Sequence, residues 1–311
     1  MDHVPWVEKY RPINFEDIVL EKTNKIILNN ILNNGMFPNL LFYGPPGTGK
    51  TTTIINLIEK FQDIRKEDKK GLKIHLNASD DRGIDIIRNQ INQFVNTKTL
   101  FGKGTKFVIL DEVDYMTKNA QKALRYLIQQ YSKNVRFCLI CNYISRIDTA
   151  LQNEFIRLKF CQLPKKEIFI FLKKIREKEK IKVSDDHIKS IQMVFKSDIR
   201  SMINYFQSNQ NISLQGTNII TNSFWKKFII LLKENKSNQE IIQFINEKCI
   251  CFNINKLTFL KNFIKYLLNN TEYCFNNQWL SLFSRVLHSN SNILYILNYF
   301  LLSIKELYIL L

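Results

Sequence analysis

Residues Gly44 to Thr51 read GPPGTGKT, and further on the chain runs Phe107-Val108-Ile109-Leu110-Asp111-Glu112-Val113-Asp114. The first segment follows an apolar run, Leu40 to Tyr43, and precedes an apolar helical pattern, Thr52 to Phe61, which is the template of a phosphate-binding loop. Gly44, Gly47 and Gly49 permit backbone conformations and close approach that a Cβ would block, so the loop formed with Pro45, Pro46 and Thr48 can wrap anionic oxygens. The helix that starts near Gly49 adds its positive end. Lys50 is placed to reach β- and γ-phosphates and the Thr51 hydroxyl to coordinate a magnesium ion. In the second segment four apolar residues predict a buried strand ending in acid, with Asp111 as the metal partner and Glu112 as the base for an attacking water. A glycine-rich turn alone, or a strand-end acid alone, is ordinary; the two in this order predict a nucleoside triphosphate site.

Around these motifs, strands and helices alternate. Short apolar or β-branched runs at Leu40 to Tyr43, Ile74 to Asn77, Phe107 to Leu110 and Arg136 to Cys141 are separated by helical patterns at Thr52 to Phe61, Ile84 to Val95 and Ala120 to Tyr131. Such alternation predicts an α/β fold, a parallel sheet covered by helices, with the ligand at the carboxyl ends of the strands. After Pro164 the patterns are helical only. Lys165 to Lys180, Asp185 to Phe195 and Asp198 to Ser208 read as a three-helix unit, the polar stretch Ser208 to Asn222 as a linker, and Phe224 onward as an aromatic-rich helical segment. The expected domains are 1–161, 162–210 and 223–311, joined by a linker at 211–222.

A chain of 311 residues with 45% hydrophobic content is long enough for two or three cores. Its formal charge of +17 favours a polyanionic partner such as nucleic acid, and the excess is spread over both halves of the chain. No signal peptide precedes the six cysteines, which suggests reduced thiols. Cys138 and Cys141 have CxxC spacing but lie on a predicted strand with no second Cys or His pair nearby, so they read as packing residues and no zinc is expected. The apolar run Ile293 to Leu311 is interrupted by Asn298, Lys305 and Glu306; a buried or subunit-facing helix is expected there and no membrane partner.

The order of motifs carries a family resemblance. Pro5-Trp6-Val7-Glu8-Lys9-Tyr10-Arg11-Pro12, GPPGTGKT, Leu76-Asn77-Ala78-Ser79-Asp80-Asp81-Arg82-Gly83-Ile84-Asp85, LDEVD and Cys141-Asn142-Tyr143 together resemble a small subunit of replication factor C, the sliding-clamp loader of the AAA+ ATPases. The resemblance is close over the first 160 or so residues and rests on helical pattern beyond them. It implies an AAA+ P-loop domain, a small helical lid and an all-α collar that joins the subunits of a heteropentamer. It further implies ATP and Mg2+ as ligands, a PCNA-type sliding clamp and primer–template DNA as partners, and a nuclear setting in DNA replication and repair. The implied activity is loading of the clamp by ATP binding and hydrolysis; the alternative is a nucleotide-bound structural subunit with little turnover of its own. Another AAA+ machine, such as a helicase loader, is disfavoured by the Asn77 to Asp85 wording.

Carried over by position, the resemblance makes Val7 and Arg11 nucleotide contacts, with Trp6 and Tyr10 open to a packing role. It makes Asn142 the first sensor, an amide able to hold the attacking water or the γ-phosphate, and Arg200 of Ser197-Asp198-Ile199-Arg200 the second sensor, reaching from the lid to the γ-phosphate. Arg82 and Arg88, around the helix that opens at Ile84, are expected to track DNA phosphates, although pairing with Asp80, Asp81 or Asp85 would also account for them. Thr97 to Phe101 matches the clamp-facing segment, and core burial of Leu100 and Phe101 is the competing reading. One position departs. Family members carry Ser-Arg-Cys where this chain has Asn153-Glu154-Phe155, and a glutamate cannot act as an arginine finger toward a γ-phosphate. Arg157 and Arg146 are the nearby candidates to replace it.

Overall fold

The computed structural model describes residues 4–67, 71–78, 84–96, 104–132, 135–209, 220–234, 237–270, 277–289 and 291–309. They form two compact units, one made of residues 1–178 and 195–208, the other of 179–194 and 209–311.

The first unit is a five-stranded parallel sheet with helices on both faces. Its strands are β1 (Leu40–Tyr43), β2 (Lys73–Asn77), β3 (Lys106–Asp111), β4 (Val135–Cys141) and β5 (Ile156–Lys159), in the order β2-β3-β4-β1-β5. All four pairings are parallel, with Leu40 opposite both Cys138 and Ile156. Period-2 alternation divides the buried side chains between two layers. Leu40, Phe42, Phe107, Ile109, Cys138 and Ile140 pack with α2 (Lys22–Asn34) and α3 (Lys50–Arg65), through Leu28, Ile31, Ile54, Leu57 and Phe61. Leu41, Val108, Leu110, Phe137, Leu139 and Cys141 face the other way, onto Ile91 of α4 (Ile84–Asn96) and Leu124, Leu127 and Ile128 of α5 (Lys118–Tyr131). Cys138 and Cys141 therefore point into opposite layers, which no single metal ion could bridge.

The four strands read from the sequence are present, and β5 is added at the edge next to β1. Asn39 ties both neighbours of β1 in register: its Oδ1 accepts from the Phe137 amide at 2.9 Å and its carbonyl from the Ile156 amide at 2.9 Å. Three helices were not foreseen, α2, the single-turn α1 (Trp6–Lys9) and the equally short one at Thr149–Gln152. Besides a short α6 (Thr149–Gln152), the unit contains α7 (Lys165–Lys178) and α9 (Ile199–Ser208), close to the expected limits.

The second unit contains α8 (Asp185–Phe195) for most of its length and α10 (Asn222–Lys233), α11 (Asn238–Cys251), α12 (Lys256–Asn269), α13 (Asn277–His288) and α14 (Ile293–Ile309). Polar N-caps mark three of these starts: Thr221, Ser237 in a reciprocal capping box with Glu240, and Asn255. Trp225, Phe228, Phe259, Phe263, Trp279 and Phe300 dominate the core, and Trp225 lies 5.0 Å from Phe259 and 5.3 Å from Phe263 between ring centroids. On α14, Leu297, Phe300, Leu301 and Ile304 are buried while Tyr295, Tyr299 and Leu302 are exposed. No helix among the described residues is long and apolar enough to cross a membrane.

Candidate nucleotide-binding site

The loop between β1 and α3 lies at the carboxyl end of the sheet, where β1 is flanked by β4 on one side and β5 on the other. Gly44 has φ 142° and an ideal Cβ there would stand 1.8 Å from the Phe160 carbonyl oxygen, so only glycine fits against β5. Gly49 precedes the first residue of α3, which leaves the helix's initial N–H groups aimed into the loop.

Four side chains from three elements converge on that loop. Lys50 is buried, and its Nζ donates to the Gly44 and Pro45 carbonyls at 2.8 and 2.9 Å and to Asn142 Oδ1 at 3.0 Å. The Thr51 hydroxyl donates to Asp111 Oδ2 at 2.7 Å. Burial lowers the pKa of Lys50, with the charges of Asp111 and Asp114 pulling the other way. Burial pushes the Asp111 carboxyl up, but His75, the Thr51 hydroxyl and the Glu112 amide outweigh it and hold Asp111 below the ordinary carboxylate value. Glu112, next along, has φ 57°, a left-handed conformation that costs a non-glycine residue about 1–2 kcal/mol.

Asn142 at the end of β4 is set by a residue that motif reading did not assign. Asp114 is buried, and its Oδ2 accepts from the amides of Asn142 and Tyr143 at 3.2 and 3.1 Å, which fixes the Asn142 side chain beside Lys50.

The other wall is built by α9 and α1. The Ile199 amide donates to the Gly47 carbonyl at 3.1 Å, so α9 is joined main chain to main chain with the phosphate loop. Asp198 caps α9 through the Ser201 amide at 3.0 Å and hydroxyl at 2.8 Å. Arg200 then lines the cavity and lies within electrostatic range of Lys50. Trp6 of α1 is buried and its amide donates to Gln207 Oε1 of α9 at 2.9 Å. Tyr10 lies edge-on to Trp6 and under Lys178, and Arg11 donates to Thr52 Oγ1 at 3.2 Å and to Glu8. The cavity between the two walls is about 250 Å³. Val7, Arg11, Pro46, Gly47, Thr48, Gly49, Lys50, Thr51, Asp111, Glu112, Asn142 and Arg200 all line it, so one space collects most of the residues named from the sequence. Its lining also takes in Ile18, Val19, Phe171 and Ile203, none of which the motifs signalled.

A larger cavity, about 750 Å³, opens at the amino ends of the strands around Phe37, Arg65 and Arg136. Its two guanidinium groups donate to main-chain carbonyls of Gly35, Phe37, Ser132 and Val135, and among the described residues no carboxylate lines it. The chemistry of the smaller space is the better match to a nucleotide. There, a loop with no room for a Cβ at Gly44 or Gly47, a buried ammonium and a hydroxyl–carboxylate pair suit a triphosphate with its magnesium ion. Arg82, residues 97–101 and the side chain of Arg88 lie outside the described residues.

At the departing position, Glu154 Oε1 accepts from Gln129 Nε2 at 2.7 Å and from Arg125 Nε at 3.3 Å. Arg157 is exposed on β5 and donates to Gln152 Oε1 at 3.2 Å, while the Arg146 guanidinium lies 5.0 Å from the Tyr143 ring centre and 5.9 Å from that of Tyr115.

Residues 40–163 match the family described as ATPase family associated with various cellular activities (AAA). Sheet order, loop and acidic strand agree with that assignment, and the domain is an ATPase domain of the AAA class. The particular branch is that of replication factor C, to whose small subunits this chain is homologous. It is 43% identical to human replication factor C subunit 5 over 206 residues, covering 66% of this chain and 60% of that protein. It is 43% identical to replication factor C subunit 3 of Schizosaccharomyces pombe over 66% of this chain and 59% of that protein. Against replication factor C small subunit 2 of Pyrobaculum aerophilum the identity is 40%, over 68% and 66% of the two chains. The chain spans about 60% of the length of the first two of these relatives. Among solved structures, a variant of Thermotoga maritima RuvB superposes with a TM-score of 0.53 over 84% of this chain and 81% of its own, at 15% identity, a likeness of fold alone.

Proposed function

We propose that this chain is the ATP-binding subunit of a replication factor C type clamp loader, one member of a heteropentamer that closes a sliding clamp around primer–template DNA in the nucleus during replication and repair. The observation that carries the proposal is the convergence of Lys50, Thr51, Asp111 and Asn142 on one glycine loop that is bonded to the helix bearing Arg200. Homology to replication factor C small subunits supports the biological setting.

The residues divide the work by chemistry. Val7, Arg11 and the apolar lining of the cavity hold the base and sugar, and the loop amides with Lys50 hold the phosphates. Thr51 and Asp111 hold magnesium, which when bound neutralises phosphate charge. Glu112 takes the proton of the attacking water, and Asn142, steadied by Asp114, orients that water or the γ-phosphate. Arg200 contributes positive charge from α9, and because α9 is bonded to the loop at Gly47, the ligand's state is felt by the helix directly. Arg82 and Arg88 are assigned to DNA phosphates.

The chain supplies no arginine finger to its neighbour in this reading. Support comes from the bonds of the Glu154 carboxylate to Arg125 and Gln129, and from the local engagements of Arg157 and Arg146. Loss of a neighbouring site's turnover on Arg157→Ala or Arg146→Ala would refute this part alone.

Lys50→Ala is expected to abolish binding of a labelled ATP analogue by the isolated chain, and Glu112→Gln to retain binding while lowering the clamp- and DNA-stimulated ATPase of the assembled complex. An unchanged ATPase with Glu112→Gln would favour the nucleotide-bound structural subunit instead.

A further inference from the structure

His75 stands on β2, one strand outward from the acidic strand, in the register His75 opposite Ile109 and Asn77 opposite Asp111. Paired residues of parallel strands project to the same side, and Ile109 belongs to the layer packed on α3. His75 and Asp111 thus share the α3 side of the sheet, whereas Ile74 and Leu76, on either side of His75, pack into the opposite layer. The His75 Nε2 is 3.9 Å from Asp111 Oδ2. That same oxygen accepts the Thr51 hydroxyl, and Oδ1 accepts the Glu112 amide at 2.9 Å.

We infer that His75 is a positioning residue for the metal-holding carboxylate, an N–H donor that fixes the orientation of Asp111 from the side opposite the phosphate loop. The inference rests on the nucleotide-site reading above and adds to it a residue that neither the motifs nor the homology assigns. A carboxylate that shares its Oδ2 with a hydroxyl must keep one rotamer if the metal is to find the same oxygen each time, and donors around a ligating carboxylate are how such orientation is held. The separation is too long for a direct hydrogen bond, but a small side-chain rotation or one bridging water closes it. The imidazole side chain is 40% exposed, so it does not serve as core packing whose loss would disturb the sheet. As a neutral imidazole it still carries one N–H, so the role needs no change of protonation.

The test uses the full chain and a fluorescent ADP analogue, with magnesium titrated at fixed nucleotide and parallel binding measured in EDTA. His75→Ala should raise the magnesium concentration for half-maximal tight binding about 10-fold or more, the usual loss for an outer-shell partner, while binding in EDTA stays as in the parent. His75→Gln, which keeps an N–H donor, should stay close to the parent curve. The inference is overturned if His75→Ala leaves the magnesium midpoint unmoved, if it weakens binding equally with and without metal, or if His75→Gln is as impaired as His75→Ala. A parent chain that bound no nucleotide under any condition would overturn the site reading as well, whereas magnesium-dependent binding that ignores position 75 would overturn this inference only.

Discussion

Replacing Gly47 by alanine tests whether the phosphate loop and α9 act as one piece. Gly47 has φ 72°, and an ideal Cβ on it would stand 1.8 Å from Asp198 Oδ1, 2.5 Å from Asp198 Cγ and 3.2 Å from Asp198 Cα. Two costs follow. An L-residue in the left-handed region costs about 1–2 kcal/mol. Driving Asp198 aside removes the cap of α9, worth about 1 kcal/mol, and strains the Ile199 amide's bond to the Gly47 carbonyl. The sum, about 2–3 kcal/mol, should lower the melting temperature by roughly 3–5 °C in a chain of this size. Nucleotide binding should weaken with it, since Arg200 moves when α9 is displaced. The discriminating measurement is a double-mutant cycle with Asp198→Ala, which removes the obstructing carboxylate and the cap together. In that background Gly47→Ala should cost only its backbone term, so the two changes should be non-additive by about 1 kcal/mol, within the range seen for residues in contact. Strict additivity by denaturant unfolding, or a Gly47→Ala chain as stable as the parent, would refute the reasoning.

Two further outcomes follow from the burial of charge and thiols. Burial raises Cys138 and pushes Cys141 up to about 12, while Cys251 is exposed. At pH 8 the thiolate fraction of Cys141 is therefore about 10³-fold below that of an ordinary thiol, and mild alkylation of the native chain followed by peptide mass analysis should find Cys251 modified with Cys138 and Cys141 untouched until the chain is unfolded. Asp111 has a folded pKa below its ordinary 3.8, so its ionised form favours the folded state; that contribution is complete above 3.8 and is lost as the pH falls through the lower folded value. In urea unfolding across pH, the parent's stability advantage over Asp111→Asn should hold steady above about pH 5 and shrink toward pH 2, and an advantage that persisted undiminished in acid would contradict the assignment.

What could be read from the sequence depended on how many layers bury each element. β1 and β3 are covered on both faces, so their residues form unbroken apolar runs next to the loop and the acids, and both strands and motif residues were legible. β5 is a four-residue edge strand in which only Leu158 is buried; Ile156, Arg157 and Lys159 are exposed, and the pattern is too short to distinguish from a turn. In α2 the asparagines dilute the helical period, yet buried Asn24 donates to the Lys159 carbonyl at 2.8 Å, a tertiary contact that no local pattern signals. Within the site, Lys50, Thr51, Asp111 and Asn142 lie in contiguous motifs. Asp114 closes the acidic motif, but its bonds to two amides just past β4, like the entry of Phe171 and Ile203, come only from the fold bringing separate elements together and leave no trace in spacing.

Asn39 holds a consequence for how the protein is made. It fastens the first strand to two others that leave the ribosome much later, since the partners of its side chain and carbonyl are Phe137 and Ile156. The phosphate loop is translated early but its glycine packs against the Phe160 carbonyl. A nascent chain halted before residue 160 therefore holds the whole GPPGTGKT motif and its anchors at Asp111 and Asn142, but lacks the edge of the sheet against which its first glycine packs.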